Sequence, residues 1–164
     1  MPVRTLVKYP DQRLREFAQP VTLFDDALRA LTNDLLDTMR AAPGIGITAP
    51  HIGILKRIVV LELSAEHGVK IYINPEIIWT SDDLIRHTEG SVSMLGVVED
   101  IERHARIRIR YQDVLGNEHS EESDGLLAVC HQHEIDQLDG IFWIQRLSRL
   151  KRDRLIKRYE KSQR

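Results

Sequence analysis

One cysteine in 164 residues cannot close an internal disulfide, and Cys130 alone rules out metal sites built from several thiolates. Long apolar runs are missing as well: none approaches the roughly 18 residues that would suggest a membrane span. The opening Met1-Pro2-Val3-Arg4-Thr5 has no apolar stretch behind its first charge, so a cytoplasmic location and no membrane partner are expected. Internal repeats, low-complexity tracts and a flexible linker are also lacking, which predicts one domain over residues 1–164. Aromatic residues make up only 5%, but hydrophobic residues reach 42% and charged residues 29%, the balance of an ordinary globular chain. A chain of this length buries roughly 70% of its unfolded surface, so it needs no disulfide or structural metal to hold a core.

Charge is nearly balanced overall, at -2, but unevenly placed. Residues 146–164 carry nine Lys/Arg (Arg146, Arg149, Lys151, Arg152, Arg154, Lys157, Arg158, Lys161, Arg164) against Asp153 and Glu160, so this tail is +7 and the remainder -9. Clustered cations can dock on nucleic acid, although a solvated surface helix has the same composition.

The arm 1–21, with Tyr9-Pro10-Asp11 and Gln19-Pro20, reads as irregular. Leu28, Leu31, Leu35, Leu36 and Met39 recur at helical spacing and predict an amphipathic helix over 25–41, with Asp25 and Asp26 at its positive end. Pro43-Gly44-Ile45-Gly46 opens a loop after it. Arg57–Leu63 reads as a buried strand with Ile71–Asn74 as its neighbour, and 105–111 alternates as a strand with one solvated face. Leu115-Gly116-Asn117 turns the chain into a return strand. Asp124 is placed to cap a helix from Gly125 in which Leu126, Val129, His133 and Gln137 share a face, and Ser148 to cap the basic tail.

That predicted face carries His133-Glu134-Ile135-Asp136-Gln137. Two side chains four apart on a helix reach one ligand, and a glutamate between them reaches its water; with histidine at both ends this is the zinc hydrolase pattern. Here the second histidine is Gln137, and on this segment alone His133 reads as an ordinary, partly buried histidine. Two further segments change the reading. Gly44-Ile45-Gly46-Ile47-Thr48-Ala49-Pro50-His51 resembles the first motif of the peptide deformylases, GxGxAAxQ. Glu89-Gly90-Ser91-Val92-Ser93 resembles the second, EGCLS, and His131–Gly140 the third, QHExDHxxG. The resemblance extends to Tyr9–Arg15, Ile73-Asn74-Pro75 and Asp124–Cys130, and so covers nearly the whole chain.

The resemblance implies an α+β fold with small antiparallel or mixed sheets around a central helix bearing the HExx segment, followed by a C-terminal helix. In that family a divalent ion, often Fe2+, is held by the cysteine of the second motif and both histidines of the third, and its water attacks the formyl group of N-terminal formylmethionine on nascent chains. Carried over, the metal positions are Ser91, His133 and Gln137, of which only His133 is retained. Glu134 takes the general-base position, His51 the place of the glutamine that steadies the oxyanion, and Val92 that of the backbone donor. Gly44, Gly46, Glu89 and Gly90 line the substrate cleft, and Val98 stands where several members carry an arginine. Read by themselves, the glycines are turn residues, and Cys130 is structural.

A bound metal lowers the pKa of its water from about 15.7 to about 7, worth roughly 12 kcal/mol in hydroxide formation. Glu134 alone does not supply that, and serine hydroxyl and glutamine amide are weak ligands. The expectation is therefore a catalytically silent homologue that binds no cofactor and keeps a peptide-shaped cleft for nascent N-termini. A hydrolase with a metal site rebuilt from His51, His133 and Glu134 is the alternative. A third reading is a ribosome-associated module acting through the basic C-terminal helix.

Overall fold

The leucine stripe predicted over 25–41 forms the first helix, α1 (Asp26–Ala41), in which Leu28, Leu35 and Met39 face the core. Asp25 is its N-cap, accepting from the Leu28 amide at 3.1 Å. The structure is a computed structural model and describes residues 3–164. Met1 and Pro2 of the predicted arm therefore lie outside the described residues. The rest of the arm is extended except for a 3-10 turn at Gln12–Arg15, which buries Leu14.

Seven strands follow: β1 (Gly46–Thr48), β2 (Ile58–Leu61), β3 (Lys70–Thr80), β4 (Leu84–Ser91), β5 (Met94–His104), β6 (Arg106–Gln112) and β7 (Glu118–Asp124). Five make an antiparallel sheet in the order β1-β2-β3-β6-β7, and β4 and β5 make a separate antiparallel hairpin. Ile107 and Ile109 point to the core while Arg106, Arg108 and Arg110 point out, as the alternation of 105–111 requires. Each of those arginines meets an acid: Arg106 pairs with Asp83 in the bend after β3, and Arg108 and Arg110 pair across the sheet with Glu122 and Glu76.

The central helix α2 (Gly125–Leu138) touches all seven strands. Asp124 occupies its N-cap position but makes no side-chain capping bond, because it is the last residue of β7, paired in register with Arg106. Ten residues of α2 from Ala128 to Leu138 are buried, and five of those are polar or charged apart from the cysteine: His131, Gln132, Glu134, Asp136 and Gln137. A helix buried on every side must find a partner for each such group. Gln132 answers this by bonding both backbone atoms of His104, accepting from N–H at 3.0 Å and donating to the carbonyl at 2.9 Å. That double bond fixes the end of β5 against α2.

The final helix α3 (Arg149–Ser162) is capped by Ser148, as expected. It is not only a solvated element. Leu155 and Tyr159 enter a core cluster with Leu14, Met94, Phe142 and Trp143, so the tail helix contributes to stability as well as to surface charge. No helix among the described residues is long and apolar enough to cross a membrane.

Candidate functional site

The three motifs converge on one open cleft of about 330 Å³ between the β4–β5 hairpin, the β1 edge and α2. The loop before β1 brings Gly44, β1 brings Gly46, the 3-10 turn Ala49–Ile52 after it brings His51, β4 brings Glu89, Gly90 and Ser91, the hairpin turn brings Val92, and α2 brings Cys130, His133 and Glu134. Its mouth is apolar: Ile45, Leu95, Val98 and Leu126 are all substantially exposed there. Of the expected site residues only Gln137 does not line the cleft. It is buried one turn beyond His133, and its amide nitrogen donates to the Leu14 carbonyl at 2.7 Å. The expected shared face of α2 therefore ends at His133, because the buried arm claims the next position.

The glycines of the first two motifs are not turn glycines. Neither Gly44, Gly46 nor Gly90 has a positive φ. They are small because of what lies beside them: a Cβ on Gly44 would come within 2.7 Å of Val92 Cγ1, and one on Gly46 would run into the Glu134 carboxylate. A Cβ on Gly90 would sit 3.3 Å from the Val97 carbonyl. Close approach replaces turn geometry as the reason for all three.

Glu89 is the hub of the cleft floor. Its carboxylate accepts two hydrogen bonds from the Arg103 guanidinium, each 2.8 Å, and one from His133 Nδ1 at 2.7 Å. Burial works to raise its pKa, but the Arg103 and His133 bonds outweigh burial and hold it down to about 2. Arg103 reaches on to Asp136 at 2.6 Å, and Asp136 accepts two more bonds from Arg146, at 2.9 and 2.7 Å. A continuous chain of paired charges thus runs from His133 to Arg146, in the 3-10 turn Trp143–Arg146 that precedes α3. Burial opposes charge on His133, but Glu134 and Glu89 outweigh it and raise its pKa. With Nδ1 facing Glu89, its Nε2 is turned to the cleft.

Among the described residues, two cleft side-chain atoms have no partner. Glu134 Oε1 is buried without a hydrogen bond and lies 4.0 Å from His133 Nε2, too far for one. Burial raises Glu134 to about 7. His51 accepts the Thr48 backbone amide on Nδ1 at 2.9 Å, and its Nε2 is buried and unpaired. Burial first, and the nearby His133 second, push His51 down to about 3, so it is neutral at ordinary pH. The Ser91 hydroxyl accepts from the Ser93 amide at 3.0 Å. Cys130 borders the cleft with its thiol pushed up to about 12, chiefly by burial, which leaves it inert. Among the described residues no three His, Cys, Asp or Glu side chains are grouped to hold a metal ion.

Arg103 escapes sequence reading. It is one arginine in the run Glu102-Arg103-His104-Ala105-Arg106, and nothing local separates the buried one from the exposed ones. The only available signal was its place on β5 opposite Glu89, which requires the hairpin to be known first.

The polypeptide deformylase family model matches residues 3–153. A relative called peptide deformylase-like from Brucella melitensis is 76% identical over the full length of both chains. A peptide deformylase of Phenylobacterium zucineum is 44% identical, over 98% of this chain and 97% of its own. Among solved structures, a peptide deformylase from Legionella pneumophila superposes with a TM-score of 0.93 at 34% identity, covering 98% of this chain and 95% of that one. One from Synechococcus elongatus in complex with actinonin superposes with a TM-score of 0.92 at 36% identity, covering 96% of this chain and 88% of that one. With three motifs converging on one cleft and a match along nearly all its length, the chain belongs to the polypeptide deformylase family.

Proposed function

We propose that this chain is a catalytically silent deformylase-family protein whose cleft holds the N-terminal end of a peptide without hydrolysing it. The observation that carries this reading is the Gln137 side chain, which spends its amide on the Leu14 carbonyl and stays out of the cleft. The donor set does not fit a divalent ion held in the family's manner. His133 offers one imidazole nitrogen, Ser91 a neutral hydroxyl already engaged with the Ser93 amide, and Gln137 nothing. The rebuilt set of His51, His133 and Glu134 has less in its favour, since these side chains are not grouped as a metal site.

The test has two arms. The purified protein is expected to contain no stoichiometric iron, nickel or zinc and to release no formate from formyl-Met-Ala-Ser. One equivalent of metal lost on His51→Ala, or Glu134-dependent formate release, would defeat the reading. The double variant Ser91→Cys, Gln137→His should instead take up about one metal per chain, because the Glu89–His133 pair that would orient the remaining ligand is in place.

The basic helix supports a second component of the proposal, docking on a phosphate-rich surface such as the ribosome, where nascent N-termini appear. None of the eight Lys/Arg of residues 149–164 forms a salt bridge among the described residues. Arg154, Lys157, Arg158 and Lys161 are exposed, while Leu155 and Tyr159 anchor the opposite side. Co-sedimentation with ribosomes should weaken steeply with salt. It should also be lost on Lys157→Glu, Arg158→Glu; retention by this variant at low salt would reject docking through α3.

A further inference from the structure

A second cavity, of about 470 Å³, shares no residue with the motif cleft. It lies between the amino-terminal arm, the 3-10 turn Trp143–Arg146 and α3, and its size falls within the roughly 300–1,000 Å³ of small-molecule sites. Leu14, Phe142, Ile144 and Ile156 give it an apolar floor, and the first three of these are buried. The Tyr9 ring forms a wall, stacked on Phe142 with centroids 5.9 Å apart and edge-on to Tyr159, also at 5.9 Å.

The charged residues of the lining are Asp11, Arg15 and Arg152, and they are not equivalent. Asp11 is already engaged: its carboxylate accepts from the Arg13 backbone amide at 2.9 Å and from the Arg13 guanidinium at 3.1 and 2.8 Å. Arg15 has no such partner. Among the described residues every arginine that precedes α3 is paired with an acid except this one. Arg152, half-buried on α3, forms no salt bridge either, in contrast to its exposed neighbours only in facing inward to the cavity. Both guanidiniums act on the Tyr9 hydroxyl: burial and Glu160 raise its pKa, while Arg15 and Arg152 each pull it back. Glu160 itself is exposed and does not line the cavity. The interior is therefore apolar at its floor and positive beside Tyr9.

That combination selects among ligands. A neutral amphiphile gains the floor without the charge, inorganic phosphate gains the charge without the floor, and an ammonium is repelled. We infer that this cavity binds a small amphiphilic carboxylate, with its hydrocarbon part on Leu14, Phe142 and Ile156 and its head group in the field of Arg15 and Arg152. The site is separate from the peptide cleft and does not depend on what that cleft does. Leu14 connects the two, since its side chain floors this cavity while its carbonyl accepts the Gln137 amide. An occupant would brace the arm where it meets α2.

Octanoate titrated into the 15N-labelled wild-type chain at neutral pH should shift the amides of Leu14, Arg15, Ile144 and Arg152 saturably. Gly46, Glu89 and Leu95, around the motif cleft, should not move. Octanoate should bind roughly 10-fold or more tightly than octan-1-ol, the effect of one charge-assisted hydrogen bond, and octylammonium should not compete with it. Arg15→Gln, Arg152→Gln should bring the octanoate and octan-1-ol affinities together. The comparison of the two ligands on the wild type needs no variant, so it decides the matter even if the double variant fails to fold. Equal affinity for octanoate and octan-1-ol, an octanoate affinity unchanged in a folded double variant, shifts confined to the motif cleft, or no saturable shift would each overturn the inference.

Discussion

The two sides of α2 are built on opposite rules. On the side facing the β4–β5 hairpin and the 3-10 turn Trp143–Arg146, these charges are matched: Arg103 is held by Glu89 and Asp136, and Asp136 by Arg146. On the side facing β1, His51 Nε2 and Glu134 Oε1 are as deeply buried and have nothing. Buried polar groups without partners cost stability; these two line the cleft, whereas Tyr72 Oη, Ser93 Oγ, His131 Nε2 and Trp143 Nε1, also unpaired among the described residues, do not. The contrast separates what the fold needs from what a ligand would complete, although Glu89 through its bond to His133 belongs to both.

The largest way to break the contrast is to remove the cation at the centre of the matched side. Arg103→Met leaves Glu89 and Asp136 facing each other's field in the core, and denaturant unfolding should show a loss of about 3–5 kcal/mol. Arg103→Lys keeps the charge without the two-pronged geometry and should fall between the variant and the wild type. A loss in Arg103→Met no larger than that of an average surface change would mean that the matched side does not hold the fold.

The two sides should also respond to pH with opposite signs. Glu89 has its pKa lowered from 4.5 to about 2, so its contribution is present above pH 4.5 and is lost as pH falls toward 2. Glu134 has its pKa raised from 4.5 to about 7, so its contribution is complete below pH 4.5 and disappears as pH rises through 7. Stability measured from pH 2 to 9 should therefore lose part of its acid limb in Glu89→Gln and part of its alkaline limb in Glu134→Gln. The same limb changing in both variants would dissolve the distinction.

Gln137 provides a smaller test. Gln137→Leu leaves the Leu14 carbonyl buried and unpaired and should cost about 1–3 kcal/mol, detectable as a shift in the urea midpoint. The smallest effect is expected on α3, where Lys157→Glu, Arg158→Glu touches no buried group and should alter stability by about 0.5 kcal/mol or less per site. The same variant is the one expected to abolish docking, which keeps charge and stability apart in a helix whose Leu155 and Tyr159 are in the core.

Much of this architecture could be read from the chain because it is written in local periodicity. The stripe on α1, the alternation of β6 and the cap at Ser148 depend on near neighbours in the chain and are all present, whereas the cap read at Asp124 makes no side-chain bond. The β4–β5 hairpin was not read, because β4 is mostly exposed on both faces and shows no alternation. β1 reads as loop because three residues carry no periodicity, and its strand character comes only from pairing with β2. At the site, sequence placed His133, Glu134, Ser91, Val92 and His51 around one cleft. It did not show that Gln137 leaves that cleft, since its partner Leu14 is 123 positions away. Nor could it show that the motif glycines answer to Val92 and Glu134 rather than to turns. Contacts between distant segments decide these points, and no window along the chain contains them.

The bond from Gln137 to the Leu14 carbonyl also bears on how this chain could change over generations. A histidine at 137 acquired alone gives up that bond and leaves the Leu14 carbonyl without its partner, at about 1–3 kcal/mol. On the silent reading proposed above, that loss comes before any gain in metal affinity, so the side chain that ties down the amino-terminal arm also sets the stability cost of refitting the cleft.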